Sequence, residues 1–211
     1  MSKQTKQNVY DPYDPENPIN KIDVNKVTED YEETNTIKNP LINVKINSEL
    51  EEKLSKCCLD DIPEFSLNGV KTLGKIVDVY DGDTCKIILA NENVLLRFNC
   101  RLKFLDTPEM KPPRNKPNRD LEIKNAIRCR NKLIQLTTNC EINLEDSMTK
   151  PQIKKIIKTN SKVIHVQCHE FDKYGRLLVE LYSGDKTVNN ILVEECFAKS
   201  YDGGTKDVFT Y

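Results

Sequence analysis

Apolar and polar residues alternate through the middle of the chain, and this alternation predicts β-strands. In segment 84–90 every second residue is apolar, and in segment 94–105 the same holds from Phe98 to Phe104. Because successive side chains of a strand point to opposite sides, such a pattern is typical of strands with one buried face. We predict five strands in this way, over residues 70–80, 84–90, 94–105, 163–171 and 176–182.

A spacing of three and four residues replaces the alternation elsewhere and predicts helices. The longest such segment is 120–137, where Ala126, Leu133 and Ile134 share an apolar stripe, and a shorter one covers 187–197. The predicted order is therefore three strands, a helix, two strands and a helix. Short antiparallel strands in this order favour an α+β, mostly β fold, namely a five-stranded Greek-key barrel with flanking helices.

The first 65 residues differ from the rest in charge and apolar content. Residues 1–65 carry 8 Lys and Arg against 14 Asp and Glu, whereas residues 66–211 carry 24 against 19. Segment 1–40 holds too little apolar surface to offset the entropy of ordering. We predict a largely disordered acidic extension over 1–65 and one domain over 66–211. Within the extension we expect a short helix near 48–58 and a docking segment for a partner protein in 1–40.

The cysteines and the apolar runs exclude several classes of protein. None of the eight Cys residues forms a C-x-x-C pair, which argues against a zinc ribbon or a thioredoxin-type site. No apolar run approaches the length of about 18 residues that a membrane-spanning helix needs. The chain also starts without the apolar stretch of a secretory signal. We expect an intracellular protein without a membrane partner, in the host cytoplasm if the source is viral.

A basic insert at 138–161 lies between the predicted helix 120–137 and the next strand. It leads into a run of five lysines without an acidic residue, from Lys150 to Lys162. Thr149 is placed to cap a short helix here, with isoleucines on one side. Two interpretations are open: a solvated lysine face over an isoleucine anchor, or a contact with a nucleic-acid backbone.

Three short motifs carry the candidate chemistry. Taken alone, each is more often structural, as a turn, a helix cap, or a hairpin turn with a surface ion pair. All three fall at strand ends, which a barrel can bring to one rim, so we expect them to act together. The motifs are Asp81-Gly82-Asp83-Thr84, then Arg101 with Asp106-Thr107-Pro108-Glu109, and Asp172-Lys173-Tyr174-Gly175-Arg176.

The carboxylates and arginines of these motifs suit chemistry on a phosphodiester. Asp83 and Asp106 offer oxygen ligands, which favour Ca²⁺ or Mg²⁺ over zinc or copper. Glu109, beyond a proline, is placed to act on a water as a general base. Arg101 and Arg176 would bind phosphate oxygens and stabilise the charge that develops there in the transition state.

On these motifs, the chain from about residue 70 to 204 resembles the staphylococcal nuclease (thermonuclease) family, an OB-fold barrel. The resemblance implies a Ca²⁺-dependent phosphodiesterase, an endonuclease or exonuclease, that hydrolyses DNA and RNA and leaves 3′-phosphate ends. It assigns one Ca²⁺ to the side chains of Asp83 and Asp106 and the carbonyl of Thr107. The extension 1–65 and the insert are additional to the family pattern, but no catalytic position is missing.

The same resemblance gives the other residues separate roles. Glu109 would be the base, and Arg101 and Arg176 would bind and stabilise the phosphoryl group. Lys173 and Tyr174 would lie near a terminal phosphate, and Tyr201 would approach a base of the nucleic acid.

Other functions remain open at this stage. OB-fold barrels also bind single strands without cutting them, through stacking and a basic groove, so the alternative is a non-catalytic single-stranded nucleic-acid-binding module. A scaffold that recruits a partner through its acidic extension is a third function, compatible with either. We expect DNA and RNA as partners, single-stranded in preference, and a monomeric protein.

Overall fold

A computed structural model describes residues 48–91, 94–204 and 209 of the 211-residue chain. The predictions for residues 1–47, including disorder and partner docking, lie outside the described residues. Helix α1 covers Ser48–Lys56, and a single turn of 3-10 helix follows at Leu59–Asp61. No residue of α1 is buried. The described residues contain no helix with the length and apolar character needed to cross a membrane.

Eight strands and three further helices follow among the described residues. Five of the strands are long, and the other three, β4, β7 and β8, have two residues each. In chain order the elements are β1 Lys71–Val79, β2 Thr84–Asn91, β3 Val94–Leu102, β4 Leu105–Asp106, α2 Arg119–Thr137, α3 Lys150–Asn160, β5 Ile164–Phe171, β6 Leu177–Ser183, β7 Lys186–Thr187, α4 Val188–Glu194 and β8 Lys199–Ser200.

The five long strands close into a barrel, which confirms the predicted fold. Antiparallel pairs join β1 to β2, β2 to β3, β1 to β5, and β5 to β6. The barrel closes where β3 runs parallel to β6, with Arg101 opposite Leu178. A closed ring of this order, with helices outside, is an OB-like barrel. Closure places the start of β2, the end of β3 and the start of β6 side by side.

The barrel core is formed by the apolar residues that alternate along the strands. Ile87, Cys100, Cys168 and Leu177 are fully buried there. Burial raises the pKa of Cys100 to about 12 and that of Cys168 to about 11. These thiols therefore stay protonated and pack as small apolar groups. All eight cysteines are free.

The prediction of one strand over 94–105 is wrong at its end. Strand β3 stops at Leu102, and Phe104 adopts a left-handed backbone with φ of 64°. This turn breaks the alternation, so the side chain of Phe104 is exposed rather than inward. After the turn, Leu105 and Asp106 are both buried in β4, which pairs with β8. The kink therefore directs Asp106 back toward Arg101.

The last predicted helix is shorter than expected. Helix α4 ends at Glu194, and Cys196, which lies within the predicted helix 187–197, is exposed with φ of 60°. The side chain of Thr187 caps the helix by accepting the N–H of Asn190 at 3.0 Å. In the insert, by contrast, α3 begins after Thr149, whose capping box with Gln152 matches the predicted cap.

Candidate active site at the barrel rim

The turn between β1 and β2 positions the first carboxylate through Asp81. One side-chain oxygen of Asp81 accepts the backbone N–H groups of Asp83 at 3.2 Å and Thr84 at 2.8 Å. An aspartate that bonds the backbone two and three residues onward stabilises a tight turn. This turn directs the side chain of Asp83 inward, where it accepts the hydroxyl of Thr84 at 2.7 Å.

Gly82 has a steric role in this turn. A Cβ atom there would lie 2.2 Å from the Sγ atom of Cys129 and 3.1 Å from a methyl carbon of Thr107. Real Cβ contacts are never so short, so only glycine fits between the turn and helix α2. This contact packs the first motif against α2 and against the residue that follows Asp106.

Arg101 joins the two predicted cation ligands. Its Nη1 atom lies 2.6 Å from Oδ2 of Asp83, and its Nη2 atom lies 3.1 Å from Oδ1 of Asp106. The side chains of the two aspartates are 4% and 8% exposed, and that of Arg101 is 15% exposed. Two of the three motifs are thereby joined in one charged cluster that is largely shielded from solvent.

Asp83 is the most perturbed acidic group in this cluster. Burial raises the pKa of Asp83 to about 7, and the charge of Asp81 acts in the same direction. Arg101 and the Thr84 hydroxyl oppose the rise. Desolvation therefore outweighs the contact with Arg101, and the ionised form of Asp83 would be stabilised by further positive charge.

The loop after Asp106 carries Thr107 and Glu109. Thr107 is buried, whereas the side chain of Glu109 is exposed. The backbone N–H of Glu109 donates to Oε1 of Glu122 in the first turns of α2, at 3.2 Å. Glu122 is fully buried. Glu122 belongs to none of the three sequence motifs, although the helical period of Ala126, Cys129 and the later buried residues of α2 includes its position.

Arg176 is held by its own hairpin turn. Asp172 accepts the backbone N–H groups of Tyr174 and Arg176, each at 2.9 Å, and the Nε–H of Arg176 at 2.8 Å. The Nη2 atom of Arg176 lies 2.7 Å from the same carboxylate. Burial alone would raise the pKa of Asp172, but the bonds from Arg176 and Tyr174 hold it below its ordinary value.

One cavity of about 220 Å³ brings the predicted catalytic and cation-binding residues together. The two aspartates, the two arginines and Glu109 all line it, from three separate parts of the chain. The predicted residues in its wall are Asp83, Arg101, Asp106, Thr107, Glu109 and Arg176.

A second cavity of about 740 Å³ adjoins the first, since Arg101 and Arg176 line both. Lys173, Tyr174 and Tyr201, the predicted nucleotide-binding residues, lie in the wall of this larger cavity. The ring of Tyr174 is 72% exposed, with Lys173 Nζ at 5.2 Å and Arg176 Cζ at 5.5 Å from its centroid. The structure therefore groups the sequence-predicted residues into a charged cavity and an open one with aromatic walls.

Comparison with known proteins points to the same part of the chain. Residues 99–209 match the family model described as staphylococcal nuclease homologue. This segment is slightly more than half of the 211 residues. No curated protein matches the chain. The matched segment starts within β3 and includes Arg101, Asp106, Glu109 and Arg176, whereas Asp83 precedes it.

Proposed function

Because the chain belongs to the family of staphylococcal nuclease homologues, we propose that it is a Ca²⁺-dependent nuclease. It hydrolyses phosphodiester bonds of DNA and RNA and leaves 3′-phosphate ends. Membership of the family supports a nuclease or a nucleic-acid-binding OB-fold module, and the site residues decide our choice between them. A pure binding module has no need for two buried aspartates, two arginines and a glutamate around one cavity.

The observation that carries the proposal is this convergence on the smaller cavity. Asp83 reaches it from the turn between β1 and β2, and Asp106 from β4. Arg101 reaches it from β3, and Arg176 from the turn that leads into β6. Glu109 lies at its edge with an exposed carboxylate. Cation-binding and anion-binding groups thus face a common space large enough for a phosphate group.

The side chains fit a hard cation. Asp83 and Asp106 supply oxygen atoms only, which is the donor type that Ca²⁺ prefers. The raised pKa of Asp83 indicates a buried carboxylate whose charge Arg101 compensates incompletely. The described residues hold no cluster of three or more His, Cys, Asp or Glu side chains suited to a metal. The ion would therefore share two carboxylates and the Thr107 carbonyl with water and phosphate oxygens.

Each residue then has a distinct task in hydrolysis. When bound, Ca²⁺ would polarise the phosphate and neutralise part of its charge. Glu109 accepts a proton from the water whose oxygen forms a bond to phosphorus. The bond from phosphorus to the 5′-oxygen breaks, this oxygen takes up a proton from solvent, and the phosphate remains on the 3′-oxygen. Arg101 and Arg176 stabilise the negative charge on the phosphoryl oxygens during this step.

The larger cavity would hold the adjoining nucleotide. Lys173 supplies a positive charge for its phosphate, and the exposed ring of Tyr174 and the ring of Tyr201 supply surfaces for contact with a base. Stacking on aromatic side chains does not discriminate between bases. Unpaired bases are the ones free to stack, so we expect single-stranded DNA and RNA as preferred substrates of a monomeric enzyme.

Helix α3 offers a second contact with the nucleic-acid backbone. Its apolar side is buried through Ile153 and Ile157, and its four lysines are exposed. Within the described residues these lysines form no ion pair. Lysines at i and i+4 repel each other, and Lys150 at the helix start opposes the helix dipole. A bound polyanion would offset both the repulsion between the lysines and the unfavourable interaction of Lys150 with the helix dipole.

The α3 contact has its own test. Neutralising Lys154, Lys155 and Lys158 to glutamine should weaken binding of a long single strand and lower the salt slope by about 2, given about 0.7 per phosphate contact. Replacing the same three lysines by arginine should preserve both. If the glutamine variant binds the strand as tightly as the parent, the contact with the nucleic acid is rejected and the lysines form only a solvated face.

The main experiment compares labelled single- and double-stranded DNA and RNA, with and without Ca²⁺. We expect cleavage with Ca²⁺, none in excess chelator, and products that carry a 3′-phosphate. Cleavage that persists in chelator would overturn the Ca²⁺ dependence. Retention of the oligonucleotide without cleavage over a range of divalent ions would instead favour the non-catalytic binding module.

A further inference from the structure

Glu122 is a buried carboxylate that the proposed hydrolysis does not use directly. It lies in the first turns of α2, is fully buried, and faces the segment that carries Glu109. Burying an ionised carboxylate is costly unless it is paired and hydrogen-bonded. A fully buried glutamate in this position therefore calls for a specific partner on each of its oxygens.

The two oxygens of Glu122 contact the two ends of one loop. Oε1 accepts the backbone N–H of Glu109 at 3.2 Å, and Oε2 lies 2.5 Å from Nζ of Lys116. Between these points the chain contains two prolines, at 112 and 113, and a third, Pro117, directly follows Lys116. A single side chain from α2 thus ties both ends of the loop 109–116 to the helix.

We propose that Glu122 is a positioning residue that holds the general base Glu109 at the cavity through its contacts with both ends of the loop 109–116. The inference rests on the proposed role of Glu109. The side chain of Glu109 is exposed and could sample many orientations, whereas its backbone is fixed by Glu122. Because a misplacement of about 1 Å can cost a catalytic group about 100-fold in rate, the backbone anchor matters for catalysis.

Substitutions of Glu122 and of its partner Lys116 test this role. Glu122→Leu removes the acceptor and the charge, and we expect kcat to fall by at least 10-fold with KM for the oligonucleotide within about twofold. Glu122→Gln keeps an acceptor oxygen for the Glu109 N–H and should stay within about threefold of the parent kcat. Asp120→Asn is the matched control, because its side chain is in the same turn and fully exposed.

The decisive comparison repeats Glu122→Leu and Lys116→Met in a Glu109→Gln background. If Glu122 acts through the base, these substitutions lower kcat in the parent chain but cause no further loss after Glu109→Gln. A purely structural role would lower activity equally in both backgrounds and would overturn the inference. If Glu122→Leu does not fold, the same comparison is made with Lys116→Met alone and Lys116→Met in the Glu109→Gln background.

Failure of the proposed function gives a different result. Full activity of Glu109→Gln alone would remove Glu109 as the base, and the positioning role with it. Suppose instead that Glu109→Gln loses activity and that Glu122→Leu or Lys116→Met lowers it further by the same factor as in the parent chain. Glu109 would then stand as the base, and only the positioning role of Glu122 would be rejected.

Discussion

Arg101 and Arg176 line the same cavity, but they are held there in different ways. Arg101 is held by Asp83 from the turn between β1 and β2 and by Asp106 from β4, and its side chain is 15% exposed. Arg176 is held by Asp172, four residues earlier in the same hairpin, and its side chain is 27% exposed. The first arrangement depends on the pairing of β2 with β3 and on the turn at Phe104, whereas the second needs only a hairpin turn.

The difference separates catalytic from structural importance at this site. Losing Arg101 would leave two buried carboxylates without their shared partner, and removing one member of a buried pair is strongly destabilising. Losing Arg176 would leave Asp172 with its backbone hydrogen bonds. We therefore expect both arginines to matter for activity, but only Arg101 to matter strongly for stability.

Arg101→Ala should have the largest effect. We expect activity to fall by about 1,000-fold, since one donor to the transition state is typically worth 10² to 10³. We also expect a loss of about 3 kcal/mol in the free energy of unfolding, from the buried unpaired carboxylates. Nuclease assays and urea unfolding measure the two effects. Arg101→Lys, which keeps the charge without the fork, should rescue stability in part and activity poorly.

Arg176→Ala should lower activity by about 100-fold or more, for the same electrostatic reason. Its effect on stability should stay near 1 kcal/mol, because the ion pair is partly exposed and local. The same two assays apply. Equal stability losses for the two arginine variants would refute the distinction drawn between them.

Gly82→Ala tests whether the turn that carries Asp83 depends on close packing against helix α2. The added Cβ would overlap Sγ of Cys129, and such overpacking typically costs about 1–3 kcal/mol. The double variant with Cys129→Ala should recover most of the loss in urea unfolding. Gly175→Ala is the control from the hairpin: it has φ of 74° and open space around a Cβ. Its cost should come from the backbone alone, and Cys129→Ala should not change it.

Asp172→Asn should have the smallest effect, about 1 kcal/mol of stability at neutral pH. The pKa of Asp172 is lowered in the folded state, so its contribution is fully present above the unfolded value of about 3.8. It is lost as the pH falls through the lower folded value. The stability difference between the parent and Asp172→Asn should thus be constant above about pH 5 and shrink below pH 4. A difference that grows on acidification would contradict this sign.

Much of the barrel could be predicted from the sequence, because alternation reports directly on one buried face. Phe104 shows the limit of that signal. Its position continues the alternation of β3, but a left-handed backbone turns the chain there. Nothing in the spacing of apolar residues reports a change of backbone direction. That turn places Asp106 beside Arg101. The wrong prediction of the strand end therefore concerns the segment that builds the site.

Glu122 shows a second limit. The apolar stripe of α2 could be located from its period, but a glutamate on that stripe would be assigned to solvent on polarity alone. Only the fold shows that the Glu109 N–H donates to Oε1 of Glu122 and that Lys116 forms an ion pair with Oε2. Likewise, Asp81-Gly82-Asp83 predicts a turn, whereas the contact of Gly82 with Cys129 depends on where α2 packs.

The sequence by itself determined the five long strands apart from the end of β3, the positions of the helices, and the carboxylates and arginines of the three motifs, because periodicity and side-chain chemistry are local properties. It also determined the hairpin contact of Asp172 with Arg176, which spans four residues. The tertiary structure alone decided that Arg101 bridges Asp83 and Asp106, that Gly82 must accommodate Cys129, and that Glu122 anchors Glu109. These contacts join residues whose approach depends on the pairing of β2 with β3, the turn at Phe104 and the packing of α2 against the barrel.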